Sequence, residues 1–167
     1  MLTAAMKHSI MKHRIALASV LVLTAWTATA PAGGPDIRAC DFTAKRGCVS
    51  GDARVTLVDG EVKRVEVDVY WCALPGRPGY TCLIDSSRGD GDATWSDEGG
   101  ATLIDNTSPL KWNPNAPDRV KVTVGPEVSI ELAEAQSLGR CGAGAALPLA
   151  IIIPANTAAC RVRLRAP

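Results

Sequence analysis

Six cysteines, Cys40, Cys48, Cys72, Cys82, Cys141 and Cys160, come after an N-terminal stretch built like an export leader, while both histidines, His8 and His13, fall inside it. The part expected to remain after export thus keeps an even set of thiols and no imidazole. In an oxidising compartment such a set reads as a framework of three disulfides around a small, loop-rich fold. Pairing of neighbours along the chain is the expected assignment: Cys40 with Cys48, Cys72 with Cys82, Cys141 with Cys160. Without histidine there is no Cys-His zinc site and no Ser-His or Cys-His catalytic pair, and no CxxC pair points to redox chemistry. No cofactor is expected.

The leader covers residues 1–32. Lys7, Lys12 and Arg14 precede an apolar run from Ile15 to Leu23, and small residues come next, the three parts of a secretory signal. Cleavage after Ala32 is preferred over Ala30, because the latter cut would leave Pro31 directly after it. The run is shorter than the roughly 20 apolar residues of a membrane span. No cysteine stands close enough behind it for a lipid anchor, so the processed chain is expected without a membrane anchor, in the periplasm or secreted. Three of the 18 basic residues lie in the leader, which leaves 15 against 17 acidic ones and a net charge of −2 for residues 33–167. That balance gives no bulk attraction to nucleic acid. The length suits a single domain. Eleven arginines against four lysines in this part read as the composition bias of a GC-rich bacterial genome.

Alternation of period two dominates the chain beyond the leader. Val65, Val67, Val69 and Trp71 alternate with Glu66, Asp68 and Tyr70, a half-buried strand whose outer face is acidic and aromatic. Val120, Val122 and Val124 alternate with charged and polar residues, and after Gly125-Pro126 the pattern resumes at Val128, Ile130 and Leu132, which makes a hairpin. Val55 and Leu57 precede Asp59-Gly60, a dipeptide suited to a tight turn. Val62 is out of phase with Val65, which places a bulge near Lys63-Arg64. Shorter strands are expected at Tyr80–Ile84, Ala93–Trp95, Ala101–Ile104, Leu147–Ile153 and Cys160–Leu164, with a turn or two of helix at Glu131–Leu138. The fold class is all-β: an antiparallel β-sandwich or small barrel, stapled by disulfides.

Several constellations have chemical readings. Asp85, Asp90, Asp92, Asp97 and Glu98 crowd a glycine-rich stretch with the oxygen ligands that calcium takes, although Trp95 and Ala101 occupy positions an EF-hand loop needs for glycine and glutamate. The alternative is a solvated acidic turn. Trp95 and Trp112 lie in polar or proline-rich surroundings, where an exposed indole would stack on a sugar; core burial is the competing reading. Arg77, between Pro75 and Pro78 in the segment from Cys72 to Cys82, is the residue a braced inhibitory loop would present to a protease. Arg88-Gly89-Asp90 spells an adhesion triplet, and Ser108-x-x-Lys111 has serine acyl-enzyme spacing without its companion motifs. Arg161, Arg163 and Arg165 share one face of the last strand, as an anion site or as protection of an edge.

The segment Thr94-Trp95-Ser96-Asp97-Glu98-Gly99-Gly100-Ala101-Thr102-Leu103 resembles the strand-turn segment, near Trp-Ser-Lys-Gly-Asp-Glu-Ala, of small periplasmic lysozyme inhibitors. The resemblance spans ten of 167 residues, and the inhibitory Ser-Gly-x-x-Tyr element of that family has no counterpart, Gly79-Tyr80 standing in another context. The function expected from the sequence is a non-enzymatic binding or interaction role toward a protein or glycan of the envelope, with no catalytic residue assigned. The alternatives are a carbohydrate-binding module, an inhibitor of a wall hydrolase or protease, and a glycan hydrolase that works through two carboxylates.

Overall fold

The computed structural model describes residues 34–44, 48–73, 79–107, 113–137, 140–141 and 146–165. The expected leader, residues 1–32, lies outside them, as do Arg77, Ser108, Lys111 and Trp112.

Among the described residues ten strands form two antiparallel sheets. The first is a meander of β1 (Asp36–Ala44), β2 (Val49–Val58), β3 (Glu61–Trp71) and β4 (Tyr80–Ser87), paired in that order. The second continues the chain through β5 (Ala93–Glu98), β6 (Ala101–Asn106), β7 (Arg119–Val124), β8 (Val128–Glu131), β9 (Ala150–Ile153) and β10 (Arg161–Arg163), again each beside the next. The two do not close into a barrel; the architecture is a sandwich. Its core is one cluster contributed by both sheets. The inward positions are Phe42 of β1, Val55 of β2, Val65, Val67 and Val69 of β3, and Ile84 of β4, with Ile104, Val120, Val122, Ile130 and Ile151 from the second sheet. Each of these side chains contributes roughly 1.5–3 kcal/mol by leaving water, and period-two alternation leaves the other face of most strands to solvent, with β6 and β9 buried more continuously.

Turn chemistry sets the register. Asp59 and Gly60 both adopt positive φ, 53° and 80°, and close β2 onto β3; Gly99 and Gly100, at 58° and 80°, do the same for β5 and β6. The ladder between β2 and β3 slips once: Thr56 faces Arg64 but Leu57 faces Val62, so Lys63 is the extra residue of a bulge where the sequence placed one.

The disulfides correct the neighbour pairing. Cys40 joins Cys160, Cys48 joins Cys72, and Cys82 joins Cys141. Antiparallel register explains the second: Val49 faces Trp71, so the residues just beyond them, Cys48 and Cys72, meet at the end of the same ladder, and Cys72 N–H donates to the Cys48 carbonyl at 3.0 Å. The other two fasten the edges of the first sheet to the second half of the chain. At β1, Asp41 N–H donates to Ala158 and Cys160 N–H donates to Asp41, beside the Cys40–Cys160 bridge. At β4, Leu83 N–H donates to Arg140, beside Cys82–Cys141.

No helix forms among the described residues, which corrects the expectation for Glu131–Leu138. The backbone groups a helix would need are committed elsewhere: Ala135 N–H closes a tight turn on Leu132, the Glu134 carbonyl accepts from Arg119 N–H, and Gln136 N–H donates to the Asp118 carboxylate.

Candidate functional site

The outer face of the first sheet is set out by four strands in register. One row across them reads Asp41, Asp52, Asp68 and Leu83; the next reads Thr43, Ser50, Tyr70 and Thr81; on the other side lie Ala39, Arg54, Glu66 and Asp85, then Ile37, Thr56, Arg64 and Ser87. Adjacent strands stand about 4.8 Å apart, so three carboxylates line up side by side across β1, β2 and β3. Like charges directly opposite one another destabilise a sheet, and among the described residues no cation forms an ion pair with any of the three. Partial desolvation against the sheet, then repulsion from Asp68 and Asp41, raises the Asp52 carboxyl above its ordinary range, while Arg54 opposes the shift.

Among the polar side chains of this face three large apolar ones stay exposed. Tyr70 is 47% exposed, Leu83 56% and Ile37 55%, and these are three of the four large apolar side chains left exposed among the described residues. Gly79 leaves room for the Tyr70 side chain: a Cβ at that position would meet the Tyr70 hydroxyl at 3.0 Å and the Trp71 carbonyl at 2.9 Å. The outer face of the second sheet is different. There Arg119 pairs with Asp105 at 2.8 Å and Lys121 with Glu131 at 3.3 Å, and Arg161 pairs with Glu127. These six charges are paired within the molecule.

No family model, curated protein or solved structure matches this chain. The candidate site therefore rests on its own geometry.

The residues singled out from the sequence are dispersed. Trp95 is half-buried on β5, packs against the core, and carries the Arg88 guanidinium 5.3 Å from its ring centroid; its Nε1 is buried without a hydrogen-bond partner. It offers no open platform for a sugar. Arg88 is held by bidentate bonds to Asp97 at 2.8 Å and by the Val62 carbonyl, so the Arg-Gly-Asp triplet has its cation committed to the scaffold. Of the five proposed calcium ligands, Asp85 pairs with Arg64, Asp97 accepts from Arg88 and Thr102, and Glu98 accepts from Ser96. Bonds from Thr102 and then Arg88 hold the Asp97 carboxyl below its usual range. Among the described residues no three carboxylates, thiols or imidazoles group as a metal site, and Asp90 and Asp92 lie in the turn between the sheets without joining the others. Of the three arginines expected on one face of the last strand, Arg161 and Arg163 are exposed on β10, and Arg165 lies past its end and donates to the Ala133 carbonyl. Glu66, Asp68 and Tyr70 were legible as an acidic and aromatic strand face; Asp41 and Asp52 were not joined to them, although alternation from Val49 to Leu57 and the two-residue turn at Asp59-Gly60 carry the register that does so.

Proposed function

We propose that this chain is an exported binding domain of the bacterial envelope or extracellular medium, without a catalytic role, which presents the outer face of its first sheet to a partner. One observation carries the reading: Tyr70 and Leu83 stay exposed beside the row Asp41, Asp52 and Asp68, which forms no ion pair among the described residues. Adjacent exposed apolar side chains mark interaction surfaces, and here Tyr70 and Leu83 sit beside carboxylates that have no ion-pair partner among the described residues. The three disulfides suit an oxidising compartment outside the cytoplasm.

A second reading has a specific observation in its favour. Asp52, its carboxyl pushed up, stands across the ladder from Asp68, and cross-strand neighbours have Cβ atoms about 4.5–5.5 Å apart, from which two aspartate carboxyls can reach the roughly 5–5.5 Å separation of a retaining glycosidase. One experiment separates the two. The oxidised protein is incubated with a panel of soluble glycans and peptidoglycan fragments while backbone amide shifts and product formation are monitored together. Shifts confined to the first-sheet face without turnover support the binding role. Turnover that Asp52→Asn and Asp68→Asn each abolish would replace it with the hydrolase.

A further inference from the structure

We infer that the occupant of this face is a basic protein segment, whose arginine or lysine heads neutralise the row Asp41, Asp52 and Asp68 while its aliphatic stems cover Tyr70 and Leu83. The inference rests on the reading of this face as a binding surface and names its partner.

Charge complementarity selects the occupant. The processed chain is close to neutral as a whole, so attraction to a cation is a property of this face and not of the molecule. Several acids elsewhere on the sandwich pair with cations of the molecule, Asp85 with Arg64, Asp105 with Arg119 and Glu131 with Lys121; along this row the ladder stacks three acids that form no ion pair among the described residues, and a bound cation removes the mutual repulsion at once. The spacing suits a peptide. Carboxylates on successive strands repeat at about 4.8 Å, and rows along a strand at about 6.7 Å, distances over which side chains of a segment lying across the strands can each meet a different carboxylate. A guanidinium matches a carboxylate bidentately and stacks on an aromatic ring, so Tyr70, one row from Asp68, is placed to receive the same side chain that Asp68 binds. Leu83 ends the acidic row in register, where the apolar stem of a long cation lies flat on the sheet. A bare divalent ion would use the charge and leave Tyr70 and Leu83 exposed; a neutral glycan would leave the repulsion in place.

The test titrates the full, disulfide-bonded chain with an eight-residue peptide that alternates arginine with valine, with its glutamine-for-arginine analogue, and with a neutral oligosaccharide. Amide shifts locate binding. The arginine peptide is expected to move the amides of 52, 68, 70 and 83, and to lose at least tenfold in affinity on Asp52→Asn/Asp68→Asn, with Tyr70→Ala weakening it severalfold. A control with the same change in net charge on the second sheet, Asp105→Asn/Glu131→Gln, is expected to bind within twofold of the parent. Equal weakening by that control, or equal binding of the glutamine analogue, would overturn the inference. If the oligosaccharide and not the peptide moves these amides, the partner class is wrong and the binding face stands. If none of the probes moves them, both readings fall.

Discussion

Asp118 shows how much one buried charge can organise in a fold with so little regular loop structure. It is only 3% exposed, and its carboxylate accepts from Asn106 Nδ2 at 2.6 Å, from Gln136 N–H at 2.9 Å, and from Arg140 at 3.3 Å. Gln136 in turn bonds the carbonyls of Asn113 and Ala116. One side chain thereby ties β6, the segment before β7, the turn after β8 and the strip that carries Cys141. Asp118→Ala leaves Arg140 unpaired in its half-buried site, and the expected loss is about 3–5 kcal/mol, read as a lower urea midpoint. A loss under about 1 kcal/mol would mean that water replaces the carboxylate. Asp52 is the opposite case. Its raised carboxyl means that the folded state holds the proton more tightly than the unfolded chain, so ionisation at neutral pH costs stability, and the cost disappears as pH falls through the raised value toward the ordinary one near about 3.9. Asp52→Asn is therefore expected to stabilise at pH 7 by about 0.5 kcal/mol, an exposed cross-strand effect reduced by solvent screening. Urea titrations of both proteins from pH 7 down to pH 3 should show the advantage shrink.

At the scale of elements, the strands were legible in proportion to their β-branched content. β3, β7 and β8 read directly from valine and isoleucine alternation, and the bulge at Lys63 came from a change of phase. β1 was not foreseen, because Cys40 and Phe42 are its only buried positions and the rest of Asp36–Ala44 is polar or small. The start of β2 was hidden for a similar reason: its inward face carries Gly51 and Ala53 where a pattern search looks for bulk. Gly51 is small because its neighbours occupy the space. A Cβ there would stand 2.0 Å from the Asp68 carbonyl oxygen and 2.8 Å from the Phe42 ring. The ladder cannot admit a methyl group at that point without parting β2 from β3, and the strain would fall on the ladder that aligns Asp52 with Asp68. Gly51→Ala is expected to destabilise by at least about 2 kcal/mol, on the scale of overpacking in a tight core, with faster amide exchange at 67–69. Unchanged exchange would show that the backbone relaxes locally. The candidate site was half legible for the same reason as the sheet: β3 supplied Glu66, Asp68 and Tyr70, whereas Asp41 and Asp52 joined only through partners whose strands carried weak signals.

For the molecule as a whole, the disulfide pairing decides how two consecutive meanders become one sandwich. Spacing along the chain favoured neighbours, because short loops close easily; register favoured the observed set, because a bridge forms between residues that the ladders and edges bring together. Cys40–Cys160 and Cys82–Cys141 each sit beside a short backbone contact on an edge of the first sheet, so they hold the second half of the chain against β1 and β4. Cys48–Cys72 only reinforces a ladder already made within one sheet. Loop entropy points the same way. The separations are 120, 59 and 24 residues, and in the chain-entropy model they correspond to about 4.9, 4.3 and 3.5 kcal/mol. Replacing each pair by alanine while the other two stay oxidised is expected to cost stability in that order, with Cys40→Ala/Cys160→Ala the most damaging, measured as the urea unfolding free energy. The face proposed for binding lies on the sheet that both long-range bridges anchor, so the same two variants should also slow or abolish its recognition of the arginine peptide, while Cys48→Ala/Cys72→Ala leaves the order of rows intact. The reverse ranking, with Cys48–Cys72 contributing most, would mean that packing within the first sheet, and not attachment of the second half, limits the stability of the sandwich.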